Sequence, residues 1–534
     1  MDQNRRRWLG LPFVALGVAL IIVDATIVNV AIPSIVEDLG ISSTQVQWTQ
    51  ESYTLVFASL LLVFGRLADR FGRRMMFSLG VLGFIIASVI AAQSGSGDAL
   101  IAARLLQGVG GAMMLPTSLS LLNSNFFGKD RGIAFAVWGS TIGAAAAFGP
   151  LLGGWLTTDF SWRWAFGINI PLGLIVVVGT WLFFHETRAE EAKSGADFFG
   201  AVSSVLGVGS IVFGLIEGRN YGWWRPIGSD NLFLPADFAL SVVPVMFIIG
   251  AVVLAFFLVV ELKRNRQGLP VLLDLNLLAV KSFRNANIAA GIVSLGEFGL
   301  LFALPLWLQN VLGYSAFDTG VLLLSLALGS FLASGAGAPL AQKRGPIFVV
   351  RTGIVLELIG IAWAGLVVST TTSWLLIAIP LFFYGSGVGL ATAQLTGVAL
   401  ADIPVENSGQ ASGITSTSRQ LGSALGIAIL GTTLFTTLGA EFDKSLNDLP
   451  AIPQEQHAQL TSALTDSAGI VISQVWPNLP ATQPLVEPAS EALSTGTRYA
   501  AFAGAGFLVI GFLASLRLGK SVPLASKEHN SPAE

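Results

Sequence analysis

Stretch after stretch of this chain stays apolar for about twenty residues, the length one helix needs to cross a bilayer. Such runs decide the fold class. The hydrocarbon core offers no water to bond backbone N–H and C=O groups, so only helices and closed barrels can span it. A barrel would show short alternating segments, whereas these runs are continuous. The 534 residues are 53% hydrophobic and only 11% charged, against about 25% charged in soluble domains. The chain is therefore expected to be an all-α polytopic membrane protein.

Fourteen spans are predicted. Leu9–Pro33, Trp48–Gly65, Met75–Ala92, Ala99–Ser120, Ile133–Leu156 and Trp164–Phe184 form a first six. Phe198–Ile216 and Phe238–Val260 form a pair. Ala286–Leu308, Thr319–Ala341, Ile347–Val367, Trp374–Thr396, Ala411–Leu438 and Tyr499–Leu516 form a second six. Basic residues fix the orientation. Arg5, Arg6, Arg7, Arg66, Arg70, Arg73, Arg74, Lys129, Arg131, Arg188, Lys193, Lys263, Arg264, Arg266, Lys281, Arg284, Lys343, Arg344, Arg517, Lys520 and Lys527 gather on one side. Only Arg163, Arg219, Arg225, Lys444 and Arg498 fall on the other. That asymmetry places the amino terminus, and with an even span count the carboxyl terminus too, in the cytoplasm. The divisions that follow are an amino-terminal bundle over 1–185, an inserted pair with linkers over 186–282, a carboxyl-terminal bundle over 283–517, and a cytoplasmic tail over 518–534. Tyr221, Trp223 and Trp224 in the loop from Glu217 to Asp237 suit an external aromatic belt. The polar loop 439–497 is expected to be a partly ordered excursion, with a lid as the alternative.

Several chemistries are excluded. With no cysteine there is no disulfide, thiol catalysis or cysteine metal site. His185, His457 and His529 lie in loops or the tail, so no metal site is expected. Neither Gly-x-Ser-x-Gly, His-Glu-x-x-His nor a full phosphate-binding loop is present, which argues against an enzyme. The first apolar run lacks a small-residue cleavage site and is as long as a true span, so it is expected to remain as a span.

Asp24 stands out because it is an ionisable group within the first span. A carboxylate at mid-bilayer costs about 2.5–3.5 kcal/mol on insertion scales, and such residues mark ion or proton sites by default. The bland alternative is a neutral carboxyl held by helix–helix hydrogen bonds. At 1.5 Å per residue, Asp24 lies about 13 Å below the external end of its helix and Arg104 about 9 Å below that of the fourth. An arginine side chain bridges that difference, so the two are expected to pair directly or through water. An opposite charge favours the ionised carboxylate while desolvation opposes it. The alternative for Arg104 is a structural tie to backbone carbonyls. Glu297, in the ninth span, has no basic residue close in sequence and is expected to hold a proton at rest. Glu51, near the external mouth, and Glu357, in the eleventh span, are secondary candidates. Aromatic faces attract cations, which makes Tyr53, Trp138, Phe298 and Trp307 candidate pocket residues.

The two sixes read as a parallel repeat. One offset of 273 residues carries Asp24 onto Glu297, Gly72 onto Gly345, Gly149 onto Gly422 and Gly153 onto Gly426. Parallel repeats about an axis along the membrane normal place a midplane site between halves.

Short motifs sharpen the reading. Gly65-Arg66-Leu67-Ala68-Asp69-Arg70-Phe71-Gly72-Arg73-Arg74 follows the second span; its glycines permit a tight turn, and one acid among arginines can form a network. This stretch resembles the signature loop of the major facilitator superfamily. Leu100 to Ala112, with Arg104, Gln107, Gly108, Gly110 and Gly111, is similar to that family's fourth-helix motif. Gly149-Pro150-Leu151-Leu152-Gly153-Gly154 is similar to the fifth-helix motif of its antiporters. Asp24-Ala25-Thr26 through Pro33, Trp162 to Gly173, Leu304 to Ser315, and Ser408 to Gly413 with Arg419 to Gly422 resemble the fourteen-span drug:proton antiporters. Two positions depart. Ala145 stands where glycine is usual, and Gln342 replaces the acid of the second signature loop, so the latch is expected to be asymmetric.

The resemblance implies a major facilitator fold: two six-helix bundles related by pseudo-two-fold symmetry, plus two inserted transmembrane helices. It implies a monomeric, proton-coupled antiporter of the plasma membrane that exports amphipathic, cationic drugs amid membrane lipids. The proton gradient would drive it, without cofactor or nucleic acid. Asp24, Arg104, Glu297, Glu51 and Glu357 would couple proton to substrate. Gly65, Asp69, Arg70, Gly72, Arg73 and Arg74 would form a conformational latch. Gly149, Pro150, Gly153 and Gly154 would make a gate helix. A dedicated exporter of one metabolite, antibiotic or lipid is the nearest alternative; a membrane sensor or enzyme is the alternative of another class.

Overall fold

Small residues let these helices pack closely where large apolar ones would hold them apart. The computed structural model describes residues 3–189, 197–227, 232, 234–235, 238–449 and 452–519. Lys193, Asp237, Lys520, Lys527 and the tail beyond 519 lie outside the described residues. The amino half comprises α1 (Gln3–Leu39), α2 (Ser43–Phe71), α3 (Arg73–Ala92), α4 (Gly97–Asn125), α5 (Gly128–Asp159), the short α6 (Trp164–Gly167) and α7 (Asn169–Phe183). Then come α8 (Phe198–Tyr221) and α9 (Val242–Arg266). The carboxyl half holds α10 (Lys281–Asn310), α11 (Ala316–Arg344), α12 (Pro346–Val367), α13 (Trp374–Leu400), α14 (Ser408–Leu446), α15 (Gln454–Asp466), α16 (Ile470–Gln474) and α17 (Val486–Ser515).

Among the described residues, twelve helices are long and apolar enough to cross a membrane. The fourteen predicted spans also include α2 and α5, of 29 and 32 residues, which at 1.5 Å per residue are about 43 and 48 Å long. The polar run Thr49-Gln50-Glu51-Ser52 lowers the apolar character of α2.

The repeat is visible in local geometry. A capping box of Ser42 and Gln45 starts α2, and one of Ser315 and Asp318 starts α11, at the same 273-residue offset. Each box satisfies two N–H groups that a helix start leaves free. Gly72 and Gly345, at φ +114° and +87°, end those two helices and begin the next; an L side chain rarely adopts that backbone conformation. Helix seams repeat as well. A Cβ on Gly149 would strike the Thr26 hydroxyl of α1, and one on Gly153 would press on Ile27 and Val30. In the other half, Gly422 and Gly426 of α14 lie so close to α10 that a Cβ would strike the carbonyls of Gly291 and Leu295.

The sixth span is present over Trp164–Phe183, with a one-residue turn at Ile168 separating α6 from α7; Pro171 lacks an N–H and its ring crowds the carbonyl four residues back, at Gly167. One expectation is corrected. The loop 439–497 is a folded helical cap rather than a partly ordered excursion. The last spans continue into it: α14 runs on to Leu446, and α17 begins at Val486. Phe442, Leu464, Ile472, Trp476, Leu485 and Leu493 share a buried core, and Trp476 stacks on Phe442 with centroids 5.5 Å apart. An amphipathic helix outside the bilayer is invisible to a search for continuous apolar runs.

Overpacking a closed seam costs about 1–3 kcal/mol. Gly149→Leu and Gly422→Leu are each expected to lower the melting temperature in detergent, whereas Gly83→Leu, whose Cβ would meet nothing within 4 Å, should not. Equal melting of all three would refute the tight seams.

Candidate functional site

Asp24 has no exposed surface, and the amino half surrounds it with donors. Its Oδ2 accepts from Arg104 Nη1 of α4. Oδ1 accepts from Gln107 Nε2 at 3.0 Å and from Asn169 Nδ2 at 2.8 Å. Both amides also donate to Ser88 Oγ of α3, at 2.9 and 3.2 Å. The break before α7 puts Asn169 at a helix start, where its amide meets the carboxyl. Arg104 Nε donates to the Thr49 carbonyl of α2 at 3.0 Å, and its guanidinium lies 4.4 Å from the Tyr53 ring centroid. The pair and the backbone tie, alternatives in the sequence, are both present. Removing one partner of a buried pair strands the other charge, at a cost of about 3–5 kcal/mol.

The carboxyl half builds its cluster differently. Glu297 Oε2 lies 3.7 Å from Arg419 Nη2 of α14, and Thr392 Oγ1 of α13 reaches Oε1 at 3.4 Å. This corrects the expectation of an unpartnered Glu297, since its cation arrives from 122 positions along the chain. Glu357 of α12 is within electrostatic reach of both Glu297 and Arg419, yet neither of its buried oxygens has a hydrogen-bond donor. Asp24 draws its arginine from α4 and Glu297 from α14, whose repeat counterpart is α5, so the pseudo-symmetry fails at the charges.

Glu51 joins neither cluster. Its carboxyl lies beside that of Glu217 on the inserted α8, and its buried Oε2 has no hydrogen-bond partner. Trp48 and Phe213 flank this contact, with ring centroids 6.3 Å apart. Of the aromatic candidates, Trp138 and Trp307 are buried core residues rather than pocket walls: their Nε1 atoms donate to Ser118 Oγ at 3.0 Å and Ser494 Oγ at 3.1 Å. Tyr53 packs on Arg104, and Phe298 is half-buried.

The expected latch is a clamp between the halves. Asp69, fully buried, accepts from the Gly409 and Gln410 N–H groups at 2.7 and 2.8 Å and from Arg73 Nη2 at 2.9 Å. Those N–H groups belong to the first turn of α14, where free donors and the helix dipole favour an anion. Arg73 also donates to the Val405 carbonyl, and Asn123 Nδ2 to Ser408 Oγ at 2.7 Å. A Cβ on Gly65 would strike the Gly409 carbonyl, so glycines let α2 and α14 cross in contact. Arg74 does not cross between halves. It donates to the Phe184 carbonyl at 3.0 Å and stacks on Trp181. Arg70 lies over Phe71. Glu186 accepts from the Arg74 and Met75 N–H groups and so caps α3; a Cβ on Gly72 would press on its carboxylate. In α5, expected to be a gate helix, Gly149 and Gly153 face α1, whereas Gly154 faces Phe317 of α11, and α5 stays helical through Pro150.

At the far end of α1 from the amino terminus, Asp38 accepts from Arg163 Nη1 at 2.5 Å and Trp162 Nε1 at 3.0 Å. Arg163, with Trp162, holds this carboxyl below its ordinary value. The tie is therefore in place above the usual carboxylate range and is lost only as pH falls through the lowered value.

Ser88 and Asn123 carry no sequence signal, whereas Gln107, Asn169, Arg419, Gly409 and Gln410 stand in sequence only as members of motifs, Arg419 also at a depth similar to that of Glu357. Gln107 was the most accessible of them: three residues after Arg104, it shares that helix face.

A sequence profile described as Major Facilitator Superfamily matches residues 14–427. The chain is 34% identical to a "Probable actinorhodin transporter" of Streptomyces coelicolor, over 83% of this chain and 75% of that one. It is 32% identical to the "Multidrug efflux pump LfrA" of Mycolicibacterium smegmatis, over 92% of both. In structure it resembles the human organic anion transporter MFSD10, at a TM-score of 0.59 and 14% identity, covering 96% of this chain and all of that one. At that identity the likeness is one of fold.

Hydrogen bonds to a charged group contribute about 1.5–3 kcal/mol each, so the clamp is expected to open when its carboxylate is removed. The cysteine-free chain can carry spin labels at Phe71 and Glu406. Asp69→Ala should shift their distance distribution to longer values and deplete the short population more than tenfold. An unchanged distribution would show that Asp69 does not hold the halves together.

Proposed function

The chain belongs to the major facilitator superfamily and is a multi-pass membrane transporter, not an enzyme; from that premise we propose that it is a proton-coupled antiporter exporting amphipathic, cationic compounds across the plasma membrane. The observation that carries this reading is the buried Asp24–Arg104 cluster, an ionisable group inside a membrane helix bundle with its counter-charge in place. The efflux function of the relatives supports the direction of transport. The Glu297–Arg419–Glu357 group offers a second set of acids in the opposite half.

The mechanism is competition. A proton arriving from outside neutralises Asp24, releases Arg104 and weakens the hold on a cationic substrate; deprotonation toward the cytoplasm resets the site. Each ligand shifts the inward–outward equilibrium only by its differential affinity for the two states. In the conformation seen here the Asp24 carboxyl is closed from water and the Asp69 clamp is engaged, so the cycle requires a second conformation in which the clamp opens. The protein works as a monomer with both termini cytoplasmic. It uses the proton gradient and no organic cofactor.

A dedicated exporter of one metabolite is the second reading, favoured by the relative described as an actinorhodin transporter. A panel of structurally unrelated toxic compounds separates the two, because protection against only one would favour the dedicated exporter.

The main test uses proteoliposomes loaded with a lipophilic cation under an imposed proton gradient. Wild type should move the cation against its own gradient. Asp24→Asn should lose gradient-driven movement at least tenfold, and Glu297→Gln should lose it in part, with melting temperatures confirming folded protein. Undiminished gradient-driven transport by folded Asp24→Asn would overturn the coupling role.

A further inference from the structure

Two helical stripes on the outer wall of the carboxyl half form a groove of about 280 Å³. On α10 the stripe is Asn285, Ile288 and Ile292; on α17 and the turn after it, Ile510, Leu513 and Arg517. The spacings of three, four and seven residues put each set on one helix face. Both stripes are graded the same way, with the polar members at the end near the basic loops and the apolar members about 10 Å deeper, at 1.5 Å per residue. The groove narrows at its deep end, where a Cβ on Gly511 would lie 3.0 Å from Val293.

Arg517 lies exposed at the basic end. The carbonyls that end α17 are already taken: Arg351 Nη2 donates to those of Ser515 and Gly519 at 3.3 and 3.0 Å, and Asn285 Nδ2 to that of Arg517 at 2.8 Å. Among the described residues no Asp or Glu forms an ion pair with the Arg517 guanidinium. Lys281 and Arg284 are exposed on the first turn of α10, just before Asn285 in sequence. Ile288, Ile510 and Leu513 are about half exposed, so the apolar wall is open to hydrocarbon. A basic pocket between transmembrane helices on this side has the chemistry of an anionic headgroup site.

We propose that this groove binds one anionic phospholipid of the leaflet next to the amino terminus, its phosphate on Arg517 and an acyl chain along Ile288, Ile292, Ile510 and Leu513. A free phosphate would find no use for the apolar wall, and a zwitterionic lipid would gain little from the rim. The site lies on the lipid-facing surface between α10 and α17, apart from the Asp24 and Glu297 clusters.

The test is lipid retention by the full-length protein in symmetric nanodiscs, measured by native mass spectrometry with phosphatidylglycerol and phosphatidylcholine in equal amounts. Symmetric bilayers make the result independent of orientation and of transport. Wild type should retain phosphatidylglycerol preferentially. Arg517→Gln should cut that preference about fivefold, as expected for one basic residue at an anionic surface, and Leu513→Trp, which fills the groove, should cut it too. Lys343→Gln, an exposed cation on the same side but away from the groove, should leave it unchanged. Equal retention of the two lipids by wild type, equal effects of Arg517→Gln and Lys343→Gln, or displacement of the lipid by millimolar inorganic phosphate would each overturn the proposal.

Discussion

A charge in the middle of a bilayer must be matched there, because water cannot reach it to share the load. Asp24 and Arg104 answer that constraint together, and much of the amino half is arranged around them. α2 contributes a carbonyl and an aromatic face, α3 a hydroxyl, α4 the arginine and an amide, and α7 a second amide. Five helices thus meet at one carboxyl, which fixes their register more tightly than apolar packing alone would. Lipid-facing apolar surfaces discriminate weakly between registers, whereas a donor displaced by an ångström leaves a buried charge exposed to hydrocarbon.

Glycine seams make such convergence possible. The α5–α1 and α14–α10 contacts are backbone-close at equivalent positions, so each half is held by the same device. The clamp at Asp69 adds a third close crossing, α2 on α14, this time between halves. A carboxylate at a helix start is strong when seated and is lost as soon as α14 moves, because its donors are backbone groups that travel with the helix. On the proposed reading that property suits a contact that must form and break in each cycle.

The halves are alike in frame and unlike in charge. Capping boxes, turn glycines and seams obey one offset. The arginines do not: Arg104 of α4 falls on Ile377 at that offset, and Arg419 of α14 on Ala146. Gln342 in place of an acid continues the pattern. The two halves share the backbone constraints that close each bundle and differ in where their titratable groups lie.

Much was settled by the sequence alone. Apolar run length demanded helices and one offset exposed the repeat, because bilayer thickness and backbone hydrogen bonding act on local stretches of chain. The Asp24–Arg104 pairing was also legible, since depth along a helix is simple arithmetic. Contacts between distant helices were not. Arg419 on Glu297, Glu217 on Glu51 and the α14 N–H groups on Asp69 depend on how helices rotate and cross, which no single stretch encodes. The helical cap over 439–497 escaped for a related reason: its apolar face exists only once α14, α15 and α17 fold against one another. Tertiary packing decided which charges meet, and so which carboxyls have partners.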